Sequence, residues 1–389
     1  MSEIKVNSIK GVGATAAAIT VNNTDGTCTA NITNNLSNRN LIINGAMQVA
    51  QRGSASSTTN GLATVDRFKK IGSGLGNTFS QEQITLSSSD TPYSSGFRKA
   101  FRVSQNQAGT ANAAGAIDFS HYIEAQNLTD SGWNYTSASS KITLQFWFRA
   151  STNQTFYAVI YTQDGTKQIY PFAFTASGNN AWTKITHTIP GNSNITINND
   201  NGTGIIIYLI PYYGTDYTDN GMNASAWNTY SNNFCPDMAS TWLTAGASTF
   251  DVTGMQLEVG SVATDFEHRS FAQELALCQR YYYRETLSNT QFYRGLGKVD
   301  SDGNSVDLNI PFPVQMRSAP SALEQTGAAT NYLIRGSSTL QCTSVPTFGS
   351  ATLLSARVRF TRSSHGISTN NVANCGSWGD SFLGFSAEL

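Results

Sequence analysis

The stretch FDVTGMQLEVGSVATDFEHRSFAQELALCQRYYYR, residues 250–284, reads as a strand, a turn and a helix. FDVTGMQLEVG supplies the strand, SVATDFEHRS leads off it, and Ser270 with Gln273 three residues on makes a capping box that opens the helix. Behind the box Phe271, Leu275, Cys278 and Tyr282 fall at i, i+4, i+7 and i+11, one apolar stripe. A helix of about 15 residues is marginal alone in water, so the stripe needs a partner. Two arrangements are open: the stripe meets its copies around a threefold axis, or it lies on its own protomer.

The rest of the chain reads as strands. Its 389 residues exceed the usual single domain, which favours two domains and an appendage. Charged residues make up 13%, about half the roughly 25% of ordinary soluble proteins, and the formal net charge is −1. No global field steers such a chain to nucleic acid or to a membrane surface. Polarity comes from Ser, Thr, Asn and Gly, which suit strands and turns and leave long amphipathic helices short of Glu, Lys and Arg. An all-β fold is therefore expected.

Five cysteines (Cys28, Cys235, Cys278, Cys342 and Cys375) are odd in number and form no CxxC pair, so neither a zinc site nor a disulfide framework is indicated. Synthesis in a reducing cytosol fits. Met1 to Lys10 lacks the long apolar run of a signal peptide, and the longest apolar runs, such as GIIIYLI, are strand-sized, so membrane insertion is not expected.

Four segments are expected. Residues 1–38 are small and polar, with too little apolar surface for a core, and read as an extended attachment arm that orders on a partner or on its own copies. Residues 39–268 carry strand patterns in series and read as a jelly-roll β-sandwich. KITLQFWFRA puts Ile142, Leu144, Phe146 and Phe148 on one face and Thr143, Gln145, Trp147 and Arg149 on the other. AIDFSHYIEAQ does the same for Ile117, Phe119, His121, Ile123 and Ala125. TFYAVIYTQ and TKQIYPFAF flank Asp164-Gly165, a two-residue hairpin signal. GIIIYLIPYY is apolar throughout, as a strand covered on both faces would be. Residues 269–286 are the linking helix. Residues 287–389 form a smaller β domain, with Val306, Leu308, Ile310 and Phe312 on one face, and Leu354, Ala356, Val358 and Phe360 likewise.

Catalytic patterns are missing. GxSxG, HExxH and local cysteine-nucleophile signatures do not occur, and GSGLG at Gly72–Gly76 sits outside any βαβ context. His121 and His187 fall on strand faces that carry isoleucines and read as core or edge residues. Asp216 and Asp219 read as turn polarity. Aromatic residues in polar surroundings are the stronger signal: Trp133, Tyr135, Trp147, Tyr212, Tyr213, Tyr217, Trp227, Tyr230 and Trp242. Exposed aromatic faces stack on sugar rings, and neighbouring amides satisfy sugar hydroxyls; packing at sandwich ends or subunit interfaces is the competing role.

NLIINGAMQVAQRG at residues 40–53 and VDRF at 65–68 resemble the opening of phage virion proteins that carry a carbohydrate-binding-module-like sandwich. VTGMQLEVGSVATDFEHRS, ELALCQRYY and IPFPVQMRSAPS resemble the group's closing strand, helix and following segment, and the chain ends in a similar FSAEL. The resemblance runs from Asn40 to Leu389. It implies a homotrimeric, non-enzymatic tail fibre or receptor-binding protein in the virion, docked to other virion proteins through residues 1–38 and adsorbing to host surface glycans. A head fibre or decoration protein without receptor binding is the alternative, and a glycan depolymerase is disfavoured because no fixed-period β-helix repeat is present. The motifs themselves are structural: Gly45 and Gly53 for turns, Arg67 beside Phe68 for packing. No cofactor is implied beyond a structural calcium near the closing strand, with Asp251 or Glu258 as its ligands.

Overall fold

In the computed structural model, residues 6, 8–10, 19–21, 28–30, 38–286, 292–301, 303–325, 327–378 and 381–389 are described. Short arm strands β1 (Ser8–Ile9), β2 (Ile19–Val21) and β3 (Cys28–Ala30) pair in a small antiparallel sheet. The alternating segments that follow become β4 (Phe68–Ser73), β5 (Phe79–Thr85), β6 (Lys99–Gln105), β7 (Ala116–Glu124), β8 (Lys141–Ala150), β9 (Phe156–Thr162), β10 (Gln168–Phe174), β11 (Thr183–Pro190), β12 (Thr203–Tyr213), β13 (Asn228–Thr229) and β14 (Ser248–Val259). They form two antiparallel sheets, β13-β10-β9-β12-β7-β4 and β11-β8-β14-β6-β5. Short helices α1 (Ala125–Thr129) and α2 (Thr241–Thr244) fill the connections. The fold is an all-β jelly-roll sandwich.

Its core is the alternation made physical. Ile142, Leu144, Phe146 and Phe148 of β8 meet Phe156 of β9 and Phe172 and Phe174 of β10 across the sandwich, all almost fully buried. Each such side chain stabilises the fold by about 1.5–3 kcal/mol of removed apolar surface. Strand β12 is covered twice: Ile205, Ile207 and Leu209 face this core, while Ile206, Ile210 and Tyr213 lie under the segment 214–239 on the outer face. Those two coverings explain its unbroken apolarity.

Strands β15 (Tyr282–Thr286), β16 (Phe292–Val299), β17 (Ser305–Pro311), β18 (Leu323–Gln325), β19 (Tyr332–Arg335), β20 (Thr339–Gln341), β21 (Thr347–Ala351), β22 (Ser355–Thr361), β23 (Val372–Ser377) and β24 (Phe382–Ser386) build the C-terminal domain. A seven-stranded sheet, β20-β19-β23-β16-β17-β22-β21, covers one face with the three-stranded sheet β15-β24-β18. Val306, Leu308, Ile310 and Phe312 are buried between them as expected, together with Ala356, Val358 and Phe360. Leu354 is a correction: it lies on the β21–β22 turn and is exposed.

Two local expectations also change. Residues 163–167, a five-residue loop, join β9 to β10, and only Gly165 takes a positive φ there, at +58°. The Asp164 carboxylate instead accepts from Asn198 N and Nδ2 at 2.8 and 2.9 Å, tying the loop to the next segment. The helix α3 (Phe271–Gln279) opens on the Ser270–Gln273 capping box but has only 9 residues. Tyr282 is therefore not on a helical stripe; it starts β15, which pairs with β24 from the chain's far end. Strand-prone tyrosines with a backbone partner in reach outcompete helix propagation.

The stripe is consequently no free surface. Cys278 is buried against Ile43, Val49 and Tyr281, with Leu275, Leu277 and Leu389 beside them, and Tyr282 is buried in the joint between the domains. Leu275 and Cys278 of the helix thus pack on their own protomer, and Phe271 alone of the four stays exposed. Arginines complete this joint. Arg67 pairs with Glu388, donates to Tyr122 O at 2.7 Å and lies 3.5 Å over the Tyr281 ring. Arg280 grips Glu124 through two bonds of 2.8 Å, and Arg317 donates to the carbonyls of Asn201, Ala387 and Glu388. Arg52 sits 3.4 Å over the Tyr282 ring. Arg67 is thus an anchor of the joint, beyond the local packing role expected for it. Burial pushes Asp66, which accepts from Gln51 in the same joint, up to about 6.

Replacing Arg67 with Ala leaves Arg52, at 3.6 Å, as the remaining cation beside Glu388 and should cost about 1.5–3 kcal/mol, read as a lowered calorimetric midpoint. Leu275→Asp should lower the melting temperature of the protomer; loss of oligomer mass with an unchanged melt would return the helix to an intermolecular role.

Candidate functional site

The nine candidate aromatics separate by burial. Trp133, Tyr212 and Trp242 belong to the sandwich core, and Tyr213 is buried on the opposite face of its sheet. Trp242 Nε1 donates to Thr249 O at 2.9 Å and Tyr213 OH to Asp118 Oδ2 at 2.8 Å, so their polar atoms are satisfied inside. These four are corrections to the expected stacking faces. The polar residues around them belong to loops that fold back over the sheets, and sequence polarity does not distinguish such a loop from an open one.

Tyr217 and Tyr230 join a cluster on the outer face of the six-stranded sheet, and sequence reasoning missed its centre. Phe234 lies 5.3 to 5.7 Å from the rings of Tyr161, Tyr208, Tyr213 and Tyr230. The signal was available in FYAVIYT, where Tyr157, Val159 and Tyr161 alternate opposite Phe156, Ala158 and Ile160. Tyr135 and Trp227 are half-buried at the core rim, where Trp227 Nε1 donates to Pro190 O at 2.7 Å.

Trp147 is different. It projects from the outer face of β8, paired in register with Lys184 on β11 and Thr253 on β14. Around it lies a groove of about 280 Å³ lined by Ser95, Phe97, Gln145, Trp147, Lys184, Gly254, Asp265, Phe266 and His268. Phe97 meets Phe266 edge-on at 4.8 Å, and His268 is held by a 2.9 Å bond between Nε2 and Ser95 O. The wall is possible because Gly254 has φ +65° and no side chain: a Cβ there would come 2.7 Å from the Phe97 ring. Gln145 is 1% exposed, donates from Nε2 to Thr264 O at 2.6 Å, and leaves Oε1 without a partner. Among the described residues Lys184 Nζ and the Asp265 carboxylate also have no partner. An aromatic wall, an ammonium, a carboxylate and an orphaned amide oxygen form a set that can stack a sugar ring and exchange hydrogen bonds with its hydroxyls.

Beside the groove, a charged row crosses the same sheet. Asp251, fully buried, accepts from Arg102 Nε and Nη2 at 2.7 and 2.9 Å and from Arg149 Nε and Nη2 at 3.0 and 2.7 Å. Arg149 continues to Asp90 at 2.9 Å and lies 4.7 Å over the Trp182 ring. Glu258 accepts from Gln256 Nε2 and Thr264 N on one oxygen and from Thr264 Oγ1 on the other, with Arg39 at 3.4 Å. Asp251 and Glu258 are the carboxylates expected to hold a structural calcium. Their oxygens are engaged by cations and donors, and the described residues hold no cluster of three or more potential metal ligands.

His121 packs 5.0 Å from Phe68, and burial lowers its pKa well below the usual range; His187 stacks on Phe172 at 4.1 Å. Burial likewise pushes Asp118 up to about 7, with the bond from Tyr213 acting in the opposite sense. Cys235, Cys278, Cys342 and Cys375 are free and buried.

No known family profile matches the sequence, and no curated protein does. Among solved structures, the chain is similar to the enzymatically active domain of tailspike protein 4 of bacteriophage CBA120, at 10% identity and a TM-score of 0.30 over 57% of this chain. That alignment spans 21% of the tailspike chain. It is also similar to the family 11 carbohydrate-binding module of Clostridium thermocellum in complex with a β-1,3-1,4-mixed-linked tetrasaccharide, at 11% identity and TM-score 0.26, over 55% of this chain and 99% of that one. The N-terminal cellulose-binding domain of Cellulomonas fimi β-1,4-glucanase C gives 9% identity and TM-score 0.25, over 56% and 99%. Likenesses this distant leave function to be argued from the site itself.

Asp251→Ala should lower stability by about 1–3 kcal/mol, because Arg102 and Arg149, partly exposed and still beside Glu82 and Asp90, lose their shared anion. The same loss is expected with calcium or with chelator; a calcium-dependent rise in melting temperature that the variant abolishes would restore the metal. Asp66 and Asp118 have folded pKa values raised above the unfolded value of 3.8. Their contribution is full below about pH 4 and is lost as pH rises through 6 to 7. Melting temperature should therefore fall between about pH 4 and 7, and Asp118→Asn should flatten that slope.

Proposed function

We propose that this chain is a non-catalytic phage virion appendage, a tail fibre or receptor-binding protein, whose sandwich binds host surface glycans in the Trp147 groove. The observation that carries the reading is the groove's composition: a half-buried indole, flanking aromatic rings, and hydrogen-bonding groups whose partners are missing. Asp265 is the only carboxylate among its lining residues, whereas glycosidic cleavage ordinarily needs two across the bond, which supports binding over catalysis. The virion context rests on the resemblance of residues 40–53, 65–68, 252–270, 274–282 and 310–321 to phage appendage proteins. A single shallow groove binds weakly. Association of copies, a homotrimer in this reading, raises the effective concentration of the remaining sites and gives avidity about 10²–10⁴ above one site. Docking to the particle falls to residues 1–38, which lie largely outside the described residues.

Trp147→Ala should weaken binding to host-derived glycan by about tenfold or more while leaving the fold intact by circular dichroism. Wild-type protein should label host cells and compete with phage for adsorption. If wild type neither binds host glycan nor competes, the receptor-binding reading falls. Immunogold label on the capsid, with no competition, would favour the head fibre or decoration role.

A further inference from the structure

Gln145 lines the Trp147 groove from the same face of β8, one pleat repeat before the indole, and is almost fully buried. Its Nε2 is committed to Thr264 O at 2.6 Å, which fixes the amide and leaves Oε1 as a buried acceptor without a donor. Such an acceptor is costly to leave unmet, so a ligand that brings a donor to it gains more than an exposed contact would give.

The surroundings select which donor. Gly254 opens space at the bulge, between Thr253 opposite Trp147 and Gln256 opposite Gln145. There the rings of Phe97, Phe266 and His268 pack against one another with centroids 4.8 to 5.2 Å apart. The bond to Thr264 O sets Gln145 beside the segment that carries Asp265 and Phe266. A hydroxyl donating to Oε1 would bring its own lone pairs into this ring-lined space, whereas an amide N–H brings none. Charge points the same way. Lys184 and Asp265 line one groove with opposite signs, so a ligand carboxylate gains the first and faces the second, and a free amine does the reverse. A neutral group that both donates and accepts avoids either conflict.

We infer that the groove is built for a 2-acetamido sugar. The acetamido N–H donates to Gln145 Oε1, its carbonyl accepts from Lys184, its methyl lies among the rings of Phe97 and Phe266, and the pyranose face stacks on Trp147. This rests on the glycan-binding reading of the groove and makes Gln145 its specificity-determining residue. At about 280 Å³ the groove falls below the roughly 300–1,000 Å³ of drug-sized sites, so it admits one such sugar, and the chain continues over β11, the edge strand that carries Lys184.

Calorimetric titration of the full chain with two tetrasaccharides of one linkage tests it: chitotetraose carries an acetamido group on every ring, and cellotetraose a hydroxyl in its place. Wild type should bind chitotetraose about tenfold more tightly, and in saturation-transfer spectra the acetyl methyl should receive the strongest signal. Gln145→Met keeps the side-chain length and removes the acceptor, and should bring the two affinities within about threefold of each other. A preference that survives this change takes the N–H away from Gln145 and overturns the assignment. The wild-type comparison needs no variant, so it decides even where Gln145→Met melts early. Equal or tighter binding of cellotetraose overturns the inference and leaves glycan binding standing, as does host-derived glycan bound with neither tetrasaccharide. If nothing binds, host-derived glycan included, the reading of the groove falls with it.

Discussion

At the bulge in β14, Met255 N donates to Gly45 O at 2.9 Å, and a Cβ on Gly45 would lie 2.0 Å from Met255 O. The two ends of the sandwich domain touch there, backbone to backbone, and only glycine permits it. Asn40 strengthens the contact by donating from Nδ2 to Met255 O and accepting from Leu257 N. The extra residue lies between Thr253, opposite Trp147, and Gln256, opposite Gln145. Such a bulge switches which residues face inward. Phe250 and Val252 reach the core on one side of it, and Met255 and Leu257 on the other. Without the switch, one half of β14 would turn its apolar residues to the outer face.

The groove and the joint both follow from this contact. Gly254, at the bulge, is the position where Phe97 comes close enough to wall the space beside Trp147. On the other side, residues 42–49 are drawn towards α3, where Ile43 and Val49 meet Cys278 and Tyr281. Asn44 then bonds Val49 and Asp66 carbonyls at 2.8 and 2.9 Å, holding VDRF so that Arg67 reaches Glu388 at the other end of the chain. Gly45 thus serves a close approach, whereas Gly53, with φ +119°, is the turn residue expected of it.

Much of the sandwich was legible in the sequence, because its core residues alternate and its central strand is apolar on both sides. The bulge was legible too: Phe250 and Val252, then Met255 and Leu257, break parity across a glycine, a signal lost when the strand is read as one even segment. What could not be read depends on partners distant in sequence. Tyr282 leaves the helical pattern because β24 lies beside it, about a hundred residues on. Trp133 and Trp242 looked exposed because their neighbours are polar, yet burial is decided by which loops cover the sheet ends. Of the nine aromatic candidates, Trp147 sits in the groove, and it was the one set on the polar face of an identified strand instead of in or beside a loop.

Charge placement bears directly on the site. The chain has few ionisable residues, and many are committed inside: Arg52, Arg67, Arg280 and Arg317 at the joint, Arg102 and Arg149 on Asp251. They hold carboxylates and carbonyls in fixed geometry and are not available to recognise a ligand. The groove therefore works with one ammonium, one carboxylate, an amide and its rings, contacts that water competes with well. Affinity at such a site is limited by composition more than by shape.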